Sequence, residues 1–207
     1  MTQGEALSGA APEISEEDRA RAACYALMSR FFYAPPDSHL LAEICNAPLE
    51  AGAEAPAGGM GAAWSALQEA CRNAFPAVIR QEYDTLFIGV GKALVTPYTS
   101  RYARQSAPDR HLVRLREQLE AWGLARRERV FETEDHISGI CDVMRHLIEQ
   151  DYPLEEQRRC FEEFVYPGVM PLFDAIDAVE AAGFYRHIAL FSRRFIEVER
   201  EGFAMLD

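Results

Sequence analysis

Apolar residues recur along this chain at three- and four-residue steps, and nowhere do several residues alternate apolar and polar between turn signals. Such a period keeps one stripe of a helix dry but cannot keep one face of a strand dry, so it restricts the chain to helices. Prolines and glycines cut the pattern into about nine segments, which predicts an all-α, single-domain helical bundle around one core. A length of 207 residues, 49% of them hydrophobic, suffices for a sizeable core.

Residues 1–13 read as a disordered tail and 14–207 as the helical domain. Ser15-Glu16-Glu17-Asp18 has the outline of a capping box. Ala23, Leu27 and Phe31, flanked by Cys24 and Met28, make the apolar face of the first helix, which Pro35-Pro36 ends. Leu40, Leu41 and Ile44 mark a short second helix. The Ala-, Gly- and Pro-rich stretch 47–61 then predicts a mobile loop. Trp64, Leu67 and Cys71 mark the third. Pro76 opens the fourth, with Ile79, Tyr83, Leu86 and Phe87 at core-facing spacing, and Gly89 stops it.

Residues 88–105 have neither period and predict an ordered loop. Ser106-Ala107-Pro108-Asp109 starts the next helix, whose seam is Leu112, Leu115, Leu119 and Trp122, and Gly123 stands where a left-handed cap belongs. Thr133 is placed to cap the following helix, with Glu134 and Asp135 in its first turn and Ile137, Ile140, Met144, Leu147 and Ile148 on its face. Pro153 opens a helix through Phe161, Phe164 and Val165. Pro167-Gly168 separates that helix from one carrying Leu172, Ile176 and Val179. Phe184, Ile188, Phe191, Phe195 and Val198 form the last pattern.

Asp+Glu number 33 against 21 Lys+Arg, a formal net charge of −12. That balance repels phosphate backbones and anionic lipids, so nucleic acid and membrane are poor partners and a basic peptide is a better one. The five cysteines, Cys24, Cys45, Cys71, Cys141 and Cys160, form no C-x-x-C pair and sit among apolar residues, as small core residues do in a reducing compartment. No apolar stretch is long enough to span a bilayer, and Met1–Pro12 lacks a secretory pattern. The expected location is cytoplasmic.

Catalytic motifs fail on residue identity. Gly89-Val90-Gly91-Lys92 is not a phosphate loop: Leu86 stands where the first glycine is required, and Ala93 replaces the Mg²⁺-binding Ser or Thr. G-x-S-x-G and H-E-x-x-H are missing, and no histidine has a Glu three residues before it. No cofactor is expected. Asp135-His136 leaves three readings open: a helix start with a partly buried histidine, a polar anchor that fixes the neighbouring loop or a ligand, and a metal-dependent hydrolase site with His111 and His146 as partners. A non-catalytic adaptor with an acidic peptide-binding face is a further alternative. Tyr98 and Tyr102 flank Ser100 in the loop, where they either pack over the domain or line a groove.

Three motifs in order resemble the TorD/DmsD/NarJ family of cytoplasmic chaperones for molybdenum oxidoreductases: Tyr83-x-x-Leu86-Phe87-x-Gly89-x-Gly91, then Pro97-Tyr98-x-Ser100-x-Tyr102, then Glu132-x-x-Asp135-His136 opening an amphipathic helix. The resemblance covers about residues 15–200. It implies a TorD-like helical fold and no enzyme activity. It also implies binding of the twin-arginine signal peptide, or the N-terminal region, of an apo-molybdopterin oxidoreductase catalytic subunit, held back from export while the molybdenum cofactor is inserted. Molybdenum-cofactor biosynthesis proteins are further candidate partners.

The positions the resemblance carries over as peptide-binding are Glu82, Tyr83, Leu86, Phe87, Gly89, Gly91, Pro97, Tyr98, Ser100, Tyr102, Glu132, Asp135 and His136. Val90 stands where the family often has Pro and Thr99 where it often has Glu, and no tryptophan follows Trp122, which marks a divergent branch. An arginine-bearing leader needs carboxylates at one end of a groove and apolar walls along the rest. Glu132, Glu134 and Asp135 are the expected charges, and Tyr98, Tyr102 and Phe131 the expected walls. Monomer and homodimer both remain open, with 47–61 and 88–105 as places where helices could be exchanged.

Overall fold

The computed structural model of the protein describes residues 14–48, 58–89, 92–103, 108–124 and 132–206. The expected 1–13 tail, residues 49–57 of the expected loop, Gly91 and Phe131 lie outside the described residues. Among the described residues the chain is all-α: eight helical rods, not nine, and no strand.

α1 spans Glu16–Tyr33, α2 Ser38–Asn46 and α3 Met60–Arg72, so the end of the expected 47–61 loop is already helical. α4 runs as Pro76–Tyr83 and finishes in a π-helical turn, Asp84–Ile88. α5 is Pro108–Ala121 and α6 Ile137–Glu149. α7 starts as Leu154–Cys160, passes through a π-helical turn, Phe161–Val165, and continues as Tyr166–Asp177. α8 is Phe184–Ala204. The expected break at Pro167-Gly168 is therefore absent. The π turn widens the backbone just ahead of Pro167 and gives its ring room that an unbroken α-helix would deny it.

Local signals set most helix ends. The Ser15 side chain accepts from the Asp18 amide, Asp37 caps α2 through the Leu40 amide, and Pro76 opens α4. Gly123 takes φ +70° after α5, as a left-handed cap requires. α1 ends at Tyr33, with Ala34 extended ahead of Pro35 as its sequence signal requires, and its last carbonyls find distant partners. Tyr83 donates to the carbonyls of Phe32 and Tyr33, both at 3.1 Å, and Tyr185 donates to that of Phe31 at 3.0 Å. Two distant tyrosines thus satisfy the last carbonyls that the helix leaves open.

α1 lies along α6, α3 against α8, and α8 against the second half of α7. The buried stripe of α1 is Ala22, Tyr25, Met28, Phe31 and Phe32: Met28 and Phe31 are inside as expected and Leu27 is half-buried against the core, but Ala22 and Tyr25 take the place of Ala23, which is exposed. Alanine-rich turns give little hydrophobic contrast, so the large ring of Tyr25 sets the register. The last expected apolar position, Val198, faces solvent, while its neighbour Glu199 is buried. Glu199 pairs with Arg21 at 2.7 Å and accepts from the Tyr25 hydroxyl at 3.1 Å. Cys71, Cys141 and Cys160 are buried core residues and all five thiols are free; burial pushes the Cys71 thiol up to about 12.

Candidate functional site

The second and third motifs meet in one antiparallel bridge, Tyr98 opposite His136. The Thr99 amide donates to the Asp135 carbonyl at 2.8 Å, and the Ile137 amide to the carbonyl of buried Pro97 at 2.9 Å. The Thr99 hydroxyl adds a bond to the same Asp135 carbonyl at 3.0 Å. A 3₁₀ turn, Thr99–Arg101, then swings Ser100 beneath the bridge, where its hydroxyl donates to one oxygen of the Asp135 carboxylate. Thr133 donates to the other oxygen at 2.5 Å. Asp135 is 3% exposed, so its carboxylate sits dry, each oxygen held by a hydroxyl.

The helix start is shifted from its expected place. Thr133 gives its hydroxyl to Asp135, and the N-cap of α6 is His136, whose Nδ1 accepts from the Ser138 amide at 3.2 Å and lies 2.7 Å from the Ser138 hydroxyl. Glu134 and Asp135 therefore precede the helix. Burial lowers the pKa of His136, against the opposing pull of Glu132 and Asp135. The imidazole stays neutral, as Nδ1 must be to accept.

Tyr98 stands on this clamp with its ring edge against His136, centroids 5.4 Å apart, and its hydroxyl donating to Glu132. Burial, and then the Glu132 hydrogen bond, push the Tyr98 phenol up to about 12, so it remains a donor. Tyr102 closes the loop by donating to the Thr96 carbonyl at 3.0 Å. Tyr98, Tyr102, Glu132 and Glu134 are half-buried and reach the surface; Pro97, Ser100, Asp135 and His136 are buried. Glu134 is bound by Arg116 of α5 at 3.0 Å.

The first motif has a different place. Glu82 caps α8, accepting from the amides of Gly183, Phe184 and Tyr185 at 2.9, 3.0 and 2.8 Å. Tyr83 and Phe87 pack with Phe32 and Tyr185 in an aromatic cluster, and Leu86 is fully buried. Gly89 ends the π turn at φ +64°, and its amide donates to the Asp84 carbonyl at 2.7 Å. The described residues of this motif thus join α1, α4 and α8, while those of the other two motifs build the clamp.

Several residues have partners that their sequence readings did not give. Gly168 of α7 sits against Thr99; a Cβ there would lie 2.5 Å from the Thr99 Cβ. His111 is 5% exposed, edge-on to Phe164 at 5.6 Å, with no hydrogen-bond partner at Nε2. Thr133 was detectable as a hydroxyl two residues before an aspartate, a common local turn pairing. His146, offered beside His111 as a metal partner, lies near the far end of α6, tilted over Tyr152. Among the described residues no group of three or more His, Cys, Asp or Glu side chains is placed to hold a metal ion.

A hydrogen-bonded bridge that presents half-buried tyrosines beside carboxylates can receive a peptide bearing guanidinium groups. Over residues 53–197 the sequence matches the family model described as nitrate reductase delta subunit. No curated protein matches it at a significant level.

Proposed function

The chain belongs to the nitrate reductase delta subunit family, a family of molybdoenzyme maturation chaperones, and from that premise we propose that it binds the twin-arginine signal peptide or N-terminal region of an apo-molybdopterin oxidoreductase catalytic subunit. It delays export of that client while the molybdenum cofactor is inserted, works in the cytoplasm, and breaks no bond itself. No helix among the described residues is long and apolar enough to cross a membrane.

The observation that carries the proposal is Tyr98 donating to Glu132 on top of a clamp locked from below by Ser100, Thr133 and Asp135. Glu132 offers a carboxylate at the surface, and a peptide guanidinium can bond it with two parallel N–H groups where the phenol gives one. Tyr98 and Tyr102 give the apolar wall. Asp135, Ser100, Pro97 and His136 set the position of those groups without meeting the peptide, and Glu82, Tyr83, Leu86, Phe87 and Gly89 hold the helices on which the clamp rests. A leader that is disordered when free loses several kcal/mol on ordering, which favours micromolar binding and easy release.

Fluorescence anisotropy with a labelled twin-arginine peptide tests this. Tyr98→Ala and Glu132→Gln each weaken binding by about tenfold, and a twin-lysine peptide binds wild type less tightly than the arginine form. Raising ionic strength also weakens it. If the double variant binds like wild type while its circular dichroism is unchanged, the clamp is not the peptide site.

A further inference from the structure

Four large apolar side chains stand open to solvent on one helix and its following loop: Phe75 (72% exposed), Val78 (59%), Ile88 (63%) and Leu94 (56%). The core takes Ile79, Tyr83, Leu86 and Phe87 from one side of α4; Phe75 lies a helical turn from Ile79, and of the four exposed residues Leu94 lines the pocket described next. Between the helix and the loop lies an open pocket of about 520 Å³, lined by Ala77, Arg80, Gln81, Asp84, Lys92 and Leu94 among others. The loop is built to make it. The Gly89 amide bonds Asp84, the Val95 amide bonds the Leu86 carbonyl at 2.8 Å, and a Cβ on Gly89 would lie 2.5 Å from the Lys92 carbonyl carbon.

The charge of the pocket opposes that of the molecule. Lys92 is the sole lysine in a chain of net charge −12, and it shares the pocket with Arg80. Among the described residues neither cation makes an ion pair, and the one acid lining the pocket is Asp84. We propose that the α4 face is a docking site for an acidic amphipathic helix of a partner protein, with an apolar side chain anchored in the pocket and carboxylates on Arg80 and Lys92.

An apolar anchor ringed by charge is how a helix is taken up in a groove. Two cations on a rim select carboxylates and steer them in. A twin-arginine leader is repelled here, so the site is separate from the clamp at Tyr98. An anionic bilayer fits less well, because the surface is concave and the rest of the protein repels it.

The probe is a synthetic helical peptide with Leu at helical spacing and Glu at the flanking positions; a Lys-for-Glu peptide and phosphatidylserine vesicles serve as comparisons. Saturable binding of the acidic peptide is expected, with amide shifts at Ala77, Gln81 and Leu94. The Arg80→Glu, Lys92→Glu double variant weakens it at least tenfold and leaves twin-arginine peptide affinity unchanged. Carbodiimide coupling supplies a second reading, since a side-chain amine linked to a peptide carboxylate can come only from Lys92. No saturable binding, equal binding of the Lys peptide, shifts confined to other helices, preferential vesicle binding, or dimerisation of the chain through this face would each overturn the proposal. Loss of twin-arginine binding in Tyr98→Ala with acidic-peptide binding intact leaves it standing and bears on the clamp alone.

Discussion

Gly89 and Gly168 each allow a close approach that no other residue permits. Gly89 combines φ +64° with the crowding of Lys92, so Gly89→Ala meets both a strained backbone and an overlap. It is expected to cost more than about 1 kcal/mol in urea unfolding. Gly168→Ala is a sharper test, because alanine favours the helix by about 1 kcal/mol. Its Cβ nonetheless falls 2.5 Å from Thr99, and the Thr99 carbonyl oxygen lies 2.7 Å away. The variant should come out destabilised by about 1–3 kcal/mol, with loss of the cross-bridge contact between Tyr98 and His136 by NMR. A neutral Gly168→Ala would mean that the clamp does not bear on α7. Gly89 was readable from sequence as the residue after an apolar helical run. Gly168 read as a helix break because its neighbour is a proline; its real partner is a threonine 69 positions earlier in the chain.

At the scale of elements, the ends of helices explain what the first motif does. α8 begins at Phe184 with no cap from its own turn, and Glu82 supplies one from α4 through three amides. A carboxylate at a helix N-terminus is also favoured by the helix dipole. Glu82→Ala should cost about 1–2 kcal/mol and speed hydrogen exchange first at residues 183–185. If exchange there is unchanged, Glu82 does not cap α8. The Ser15 cap was legible because it is local, bonding an amide three residues on; Asp37 does the same for α2 but was not singled out in the sequence. The α6 start was misplaced by three residues because the nearest hydroxyl, Thr133, is used by Asp135. The two halves of α7 were read as separate helices because a π turn leaves no apolar or polar signature of its own.

Across the whole molecule, stability should depend on pH through two buried histidines. Burial lowers the pKa of His111, reinforced by Arg114 and opposed by Asp135 and Glu163, and it lowers that of His136. The unfolded chain titrates near ~6.5, above both folded values, so it binds more protons as pH falls past that point. Stability is then full above the unfolded value and is lost as pH drops toward the folded ones. Urea midpoints should be lower at about pH 5.5 than at about pH 7.5, and His111→Phe should remove part of the difference. Equal pH dependence in that variant would show that His111 does not contribute. The buried pair of Arg21 and Glu199 joins α1 to α8, with side chains 15% and 5% exposed. Glu199→Ala leaves the guanidinium with Asp18 and Gln157 alone and should cost about 1–3 kcal/mol in urea unfolding.

The sequence by itself determined the helices, their approximate number, some of their caps and an acidic surface, since each depends on residues within a turn of one another or on a sum over all of them. The motif resemblance put Tyr98, Ser100, Asp135 and His136 among thirteen candidate positions without setting them apart from the rest. Only the tertiary structure decided that Ser100 and Thr133 hold Asp135, that Glu82 serves residues 101 and more positions away, and that Glu199 is inside while Val198 is outside. A carboxylate carries the same local signal whether it ends in water or under a hydroxyl. Its partner is chosen when distant helices pack and remove the water that would otherwise satisfy it.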